Sequence, residues 1–249
     1  MDPHARNAYM AELAWQCQIA VTSFTALKAE LAARKVAAES LRHFVGGKSG
    51  LLDAQDKERA DELLGQAQGR TIRSLMYLQS FLAAVGIVSE IFWPNTTRGT
   101  QAERRARETR GKYLRDWGGL RDDSPLHFAA GRANDIRGGL LHIDEMIDSA
   151  VSVAPGKRVS RFDIGHFDEI EEWKASDTVR SLDEKSLVFT VRARASNLRD
   201  IDIEVNRVFN RVVGVSHVRL VGRPHLTGGQ PNVFFSSGTS GEGLPGLDP

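Results

Sequence analysis

The stretch MAELAWQCQIAVTSFTALKAEL, residues 10–31, decides the fold class. Met10, Leu13, Cys17, Ala20, Phe24, Leu27 and Leu31 recur in it at alternating steps of three and four. At about 3.6 residues per turn this spacing gathers all of them on one helix face, as in a heptad seam. The seam falters at Arg34 and resumes with Ala38 and Leu41, so a helix is expected from about Ala5 to Val45. Gly46-Gly47-Lys48-Ser49-Gly50 ends it, since glycine loses most backbone entropy in a helix and readily takes left-handed turns.

Working outward, a second helix is expected from about Ala54 to Phe92. Leu64, Leu75, Leu78, Leu82 and Val85 form its stripe, widened by Phe81, Val88 and Phe92. Trp93-Pro94 stops it, because proline disfavours helix at the residue before it. Two long helices joined by a glycine loop predict an antiparallel hairpin. The most apolar stretch, Leu75 to Pro94, contains Gln79, Ser80, Ser89 and Glu90 and keeps helical periodicity, so it reads as a core helix, with no membrane span.

A third, strongly basic helix is expected from about Gln101 to Trp117, carrying Arg104, Arg105, Arg107, Arg110, Lys112 and Arg115. Gly118-Gly119 breaks it, and LRDDSPL, residues 120–126, reads as a loop. A fourth helix follows from about Ala129 to Val151, with Ile136, Leu140, Ile143 and Ile147 as its stripe and Gly138-Gly139 weakening it.

After Ala154-Pro155-Gly156 the pattern changes. Val159 to Ile164 reads as a short strand, and Thr178 to Leu182 with Leu187 to Arg192 as a hairpin around Asp183–Ser186. Asn197, a good N-cap, precedes a last helix with the seam Leu198, Ile201, Val205, Val208 and Val212. The fold class is therefore mainly α: a long antiparallel hairpin in a four-helix bundle over 1–153, with a small α+β appendage over 157–220. The Gly-, Ser- and Pro-rich stretch 222–249 reads as a flexible tail. The appendage is expected to pack on the bundle, because its hairpin and helix cannot bury their apolar faces alone.

Composition narrows function only by exclusion. With 249 residues and a net charge of +1, the chain has no global bias toward nucleic acid or membrane. Its single cysteine, Cys17, excludes an intrachain disulfide framework and a cysteine-rich zinc site. A charged start without an apolar core predicts no secretory leader and a cytoplasmic location. Gly47-Lys48-Ser49 is no phosphate loop: the position that needs the first glycine is Arg42, and a helix precedes it. The seven histidines are scattered, so neither a metal site nor a cofactor is expected.

Three ordered landmarks remain: Val88-Ser89-Glu90-Ile91-Phe92-Trp93-Pro94, then Asp122-Asp123-Ser124-Pro125-Leu126, then Arg137 to Glu145, an Arg-x4-His-x-Asp-Glu run. Together they resemble the HEPN superfamily of four-helix-bundle proteins, over most of residues 5–152. The resemblance implies a homodimer. In active relatives it implies a metal-independent ribonuclease centre, with His142 as the base that takes the ribose 2′-hydroxyl proton and Arg137 as the phosphate clamp, leaving a 2′,3′-cyclic phosphate. The residue after the arginine, usually polar in the family, is Gly138 here. Five residues of helix turn by about 140°, so the two side chains meet only through a helix end, a break at Gly138-Gly139, or a second protomer.

Two function classes follow. In one, the chain is a non-catalytic module for RNA or a protein partner, with Arg104, Arg105, Arg107 and Arg110 contacting RNA phosphates. In the other it is an endoribonuclease of toxin or defence type using Arg137 and His142. Glu103 and Glu108 interrupt the arginine run, and the four tryptophans are too dispersed to make a stacking platform for single-stranded RNA.

Overall fold

Helix α1 runs Pro3–Gly46 and helix α2 Ala54–Phe92 in the computed structural model, which describes residues 2–48, 52–127, 163–165, 180–191 and 194–215. The chain divides into two units, Met1–Ser216 and His217–Pro249, and every described residue belongs to the first. Among the described residues the protein is mainly helical.

Each long helix starts at an aspartate whose carboxylate takes an orphan backbone N–H. Asp2 accepts from Ala5 N at 2.9 Å and Asp53 from Asp56 N at 2.8 Å. The two helices pack antiparallel. Phe24 meets Phe81 with ring centroids 5.0 Å apart, Glu30 accepts both Nη1 bonds of Arg70 at 3.0 and 3.1 Å, and Lys48 donates to Asp56 at 2.7 Å. All seven residues of the α1 seam are buried.

The α2 stripe is buried as expected from Leu78 through Phe81, Leu82, Val85 and Val88 to Phe92, but its N-terminal half enters the core in a different phase. Leu63 is buried and Leu64 is 43 % exposed. The inward line passes through Leu63, Ala67, Arg70, Ser74 and Leu78, so a polar middle hides it from a reading of apolar residues alone. Ser74 is fully buried because its hydroxyl donates to the Arg70 carbonyl one turn back, at 2.9 Å. Arg70 and Arg73 both reach Glu30 on α1. By length and composition α2 could cross a membrane, with a best window of mean hydropathy 1.6, 56 % buried inside the protein. The buried part faces α1 through Phe81, Leu82, Val85, Val88 and Phe92.

Helix α3, Gln101–Gly118, opens on a reciprocal cap. Thr100 Oγ1 accepts from Glu103 N at 3.3 Å, and Glu103 Oε2 accepts from Thr100 N at 2.8 Å. These hydrogen bonds hold the Glu103 carboxyl below its ordinary pKa. The helix ends at Gly119, whose φ of 63° is the left-handed cap that glycine adopts without strain.

Strands β1 (Asp163–Gly165), β2 (Arg180–Asp183), β3 (Val188–Val191) and β4 (Arg194–Asn197) form one sheet in sequence order. β1 pairs parallel with β2, and the other neighbours pair antiparallel. The β2–β3 connection is an Asx turn, in which the Asp183 carboxylate accepts from Lys185 N and Ser186 N, each at 2.8 Å. Strand β4 was not anticipated: it is four residues long and carries arginine, serine and asparagine, with no apolar alternation to mark it.

Helix α4, Leu198–Val215, starts where Asn197 Oδ1 accepts from Arg199 N at 2.9 Å. Its five seam residues are all buried and share one apolar cluster with the α1–α2 core and with Leu182, Phe189 and Val191 of the sheet. The sheet and α4 thus close on the α1–α2 hairpin. The faltering of the first seam is explained here as well. Arg34 forms a largely buried ion pair with Glu184 in the β2–β3 turn, so a charge stands where α1 meets the sheet.

One half-buried charge on α4 works against the fold. Burial pushes the Asp202 carboxyl above its ordinary pKa, against the opposing pull of Lys28 and a hydrogen bond from Asn206 at 3.0 Å. A raised acid contributes stability below pH 3.8, its ordinary value, and loses it as the pH climbs through the folded one. Asp202→Asn is therefore expected to raise Tm at pH 7 by roughly 2 °C. The gain should vanish near pH 3 in thermal melts read by circular dichroism.

The expected fourth helix with Ile136, Leu140, Ile143 and Ile147, the start of the strand from Val159, and the tail from Gly222 lie outside the described residues.

Candidate functional site

The basic helix α3 divides its arginines between two tasks. Its inner face is built around Leu114, fully buried, and Gly111 and Gly118, which let the backbone close on the end of α2. Arg110 turns inward, donating to the Tyr9 hydroxyl at 2.8 Å with its guanidinium 4.8 Å from the Tyr9 ring centroid. Arg107, also half-buried, donates to the Arg98 carbonyl and closes the loop ahead of the helix. Arg115 donates to the Phe92 carbonyl and so caps the C-terminus of α2. These three cations hold the helix in place.

Arg105 lies on the opposite face, while Arg104, seven residues before Gly111, is on the line of the inner face near the open start of the helix. Both are exposed, and among the described residues neither side chain has an ion pair or hydrogen bond. Lys112 shares the outer face with Arg105, seven residues or about 10 Å along the axis, and Arg98 stands exposed at the start of the helix. Glu108 sits between the cations. Tyr113, 38 % exposed, flanks them. The structure thus keeps Arg104 and Arg105 available to a ligand and commits Arg107 and Arg110 to packing.

A second cluster joins the first two sequence landmarks. The Trp93 ring stacks on His127 at 4.9 Å and 23°, its Nε1 donates to Asp122 Oδ1 at 3.5 Å, and the Arg115 guanidinium lies 5.7 Å from its centroid. Ser89 donates to the Leu126 carbonyl, tying α2 to the loop that follows α3. His127 Nδ1 lies 2.7 Å from the Asp122 carbonyl oxygen. A carbonyl only accepts, so Nδ1 carries the proton and Nε2 is the basic nitrogen of the neutral ring.

From the same loop Ser124 donates to Glu204 on α4 at 3.2 Å. Glu204 accepts from Arg207 Nε and Nη2 at 2.9 and 2.7 Å, and Arg207 also donates to the Gly118 and Gly119 carbonyls at 3.3 and 3.2 Å. Arg207 therefore caps the α3 C-terminus from another helix, as a cation near the negative end of the dipole should. Ser89, Trp93, Asp122, Ser124 and Leu126 belong to the two landmarks, but their contact with each other and the parts of His127, Glu204 and Arg207 were not singled out from the sequence. The one local signal was the histidine closing the Asp-Asp-Ser-Pro-Leu loop.

Arg137 and His142 lie outside the described residues. Among the described residues no three His, Cys, Asp or Glu side chains come together to hold a metal ion. No protein-family model, curated protein or solved structure matches the chain.

Proposed function

We propose that this chain is a non-catalytic RNA-binding module on a HEPN-like helical bundle, with α3 as the surface that contacts phosphate. The observation that carries the reading is the exposure of Arg104 and Arg105, without partners among the described residues, on a helix fixed from three sides. A cation on a rigid helix loses little order on binding, whereas one already paired must first be released. Support for the bundle family is the direct contact between the Trp93-Pro94 turn and the Asp122–Leu126 loop, two of the three landmarks.

The exposed set is small, so affinity is set by charge and carries no base preference. For structured RNA in 50–200 mM salt, the plot of log K against log salt is expected to have a slope of about −3, from Arg98, Arg104, Arg105 and Lys112. Arg104→Ala with Arg105→Ala should weaken binding roughly tenfold at 100 mM salt and make the slope shallower by about two. His142→Ala should bind as wild type does, and the RNA should be recovered at full length in EDTA. Wild-type protein that fails to bind at 50 mM salt, or a double variant that binds unchanged, rules the reading out.

A further inference from the structure

The helical hairpin is longer than its core. On α1 the last buried residue is Leu31, and on α2 the first is Leu63. From residue 35 to 48 and from 52 to 62 no side chain is buried, Arg34 being turned to Glu184 of the sheet. Some twelve residues of α1 and nine of α2 therefore extend as a two-helix arm of about 18 Å. Helices of that length are marginal in water without tertiary packing, and packing supplies most of the stability of helices in proteins. The arm is tied at its tip by Lys48, which donates to Asp56 and lies 5.4 Å from the Phe44 ring centroid, and at its base by Glu30 with Arg70 and Arg73. Val36, Val45 and Leu64 are exposed at 62 %, 44 % and 43 %.

The charges on the arm are divided by helix. Its α1 side, residues 35–48, has Lys35, Arg42 and Lys48 against Glu39. Its α2 side, residues 53–62, has Asp53, Asp56, Glu58, Asp61 and Glu62 against Lys57 and Arg59. Several are spent locally: Lys48 on Asp56, Arg59 on Glu62, Asp53 as a cap, and Lys35 near Glu39. Arg42 on the basic side, and Glu58 and Asp61 with the lone cation Lys57 on the acidic side, are exposed and unpaired among the described residues, which leaves the two sides at +1 and −1. The contacts at the tip and the base place Arg42 level with Asp61 along the arm.

We infer that the arm is where two copies of this chain pack together, α1 of each lying on α2 of the other about a twofold axis. The arm is its own electrostatic complement: a basic helix beside an acidic one, which a twofold pairing brings into opposite-charge contact twice. Two hairpins paired this way make a four-helix bundle, which covers the helices that the single chain leaves bare. The pairing is independent of the RNA reading, since α3 sits at the other end of α2.

The test is the solution mass of the full-length chain, by light scattering after gel filtration, at about 50 μM and low salt. Wild type is expected as a dimer. Arg42→Glu alone, and Glu58→Lys with Asp61→Lys, each place like charges across the axis and should weaken the dimer by tenfold or more. An equimolar mixture of the two variants restores opposite charges at both contacts and should run as a dimer again. Circular dichroism of each variant should match wild type, since all three positions are exposed. A monomeric wild type, variants that dimerise unchanged, or a mixture that stays monomeric would each overturn the inference.

Discussion

Gly111→Ala is expected to lower Tm by about 5 °C, while Gly65→Ala, the same substitution on α2, is expected to raise it by about 2 °C. Both glycines are helical, so both substitutions gain the propensity of alanine, about 0.5–1 kcal/mol. What differs is the space. A Cβ at Gly65 would meet nothing within 4 Å. A Cβ at Gly111 would lie 2.6 Å from Pro94 Cδ and 2.8 Å from the Phe92 carbonyl oxygen. Neither neighbour can yield by a side-chain rotation, because one is a proline ring and the other is backbone. The helix must back away, which loosens Leu114 and strains the Arg115 bond to the Phe92 carbonyl. Overpacking of this kind costs typically 1–3 kcal/mol, more than the helix gains. Thermal denaturation of the two variants beside wild type checks the opposite signs, and equal signs would mean that α3 is not docked where it is described.

That docking also marks the limit of what the sequence could reveal. Helix ends, seams and breaks were legible because each is a local property. Ala54–Phe92, the Trp93-Pro94 stop, the Gly119 cap and the five-residue seam of α4 follow from periodicity and cap chemistry read within a few turns. The phase of the N-terminal half of α2 was not, because the inward line there runs through Ser74 and Arg70, which are satisfied by a backbone carbonyl and by Glu30 on another helix. The division of the α3 arginines was hidden for the same reason. Nothing in the residues Arg104, Arg105, Arg107 and Arg110 says which two will find Tyr9 and the Arg98 carbonyl, since Tyr9 is about a hundred positions away. The reciprocal cap of Thr100 and Glu103, by contrast, is a Thr-x-x-Glu pattern that was legible and passed over. The ribonuclease alternative rests on Arg137 and His142, whose convergence depends on a tertiary approach that periodicity does not determine.

In native protein the Cys17 thiol is expected to react with a disulfide reagent at pH 8 at least a thousandfold more slowly than in protein unfolded by guanidinium. Cys17 is the α1 seam residue between Leu13 and Ala20, fully buried against the packed core. Burial pushes its thiol up to about 12, from an ordinary value of 9.0. Only the thiolate attacks, and at pH 8 the shift alone cuts its fraction about a thousandfold, before access is considered. Labelling then proceeds through opening of the α1–α2 core, so its rate should track global stability and rise with added denaturant. The same burial fixes a pH dependence. An acid raised in the fold contributes stability below its ordinary pKa and loses it as the pH climbs from about 9 towards 12, because the unfolded chain sheds a proton that the folded chain retains. Over that window Cys17 should steepen the fall in stability by about 1.4 kcal/mol per pH unit. Cys17→Ala removes the titration and should flatten the fall relative to wild type, although it leaves a small cavity that lowers stability at every pH. Rapid labelling of the native protein at pH 8, or parallel alkaline curves for the two proteins, would place Cys17 outside the core and with it the seam that sets the whole hairpin.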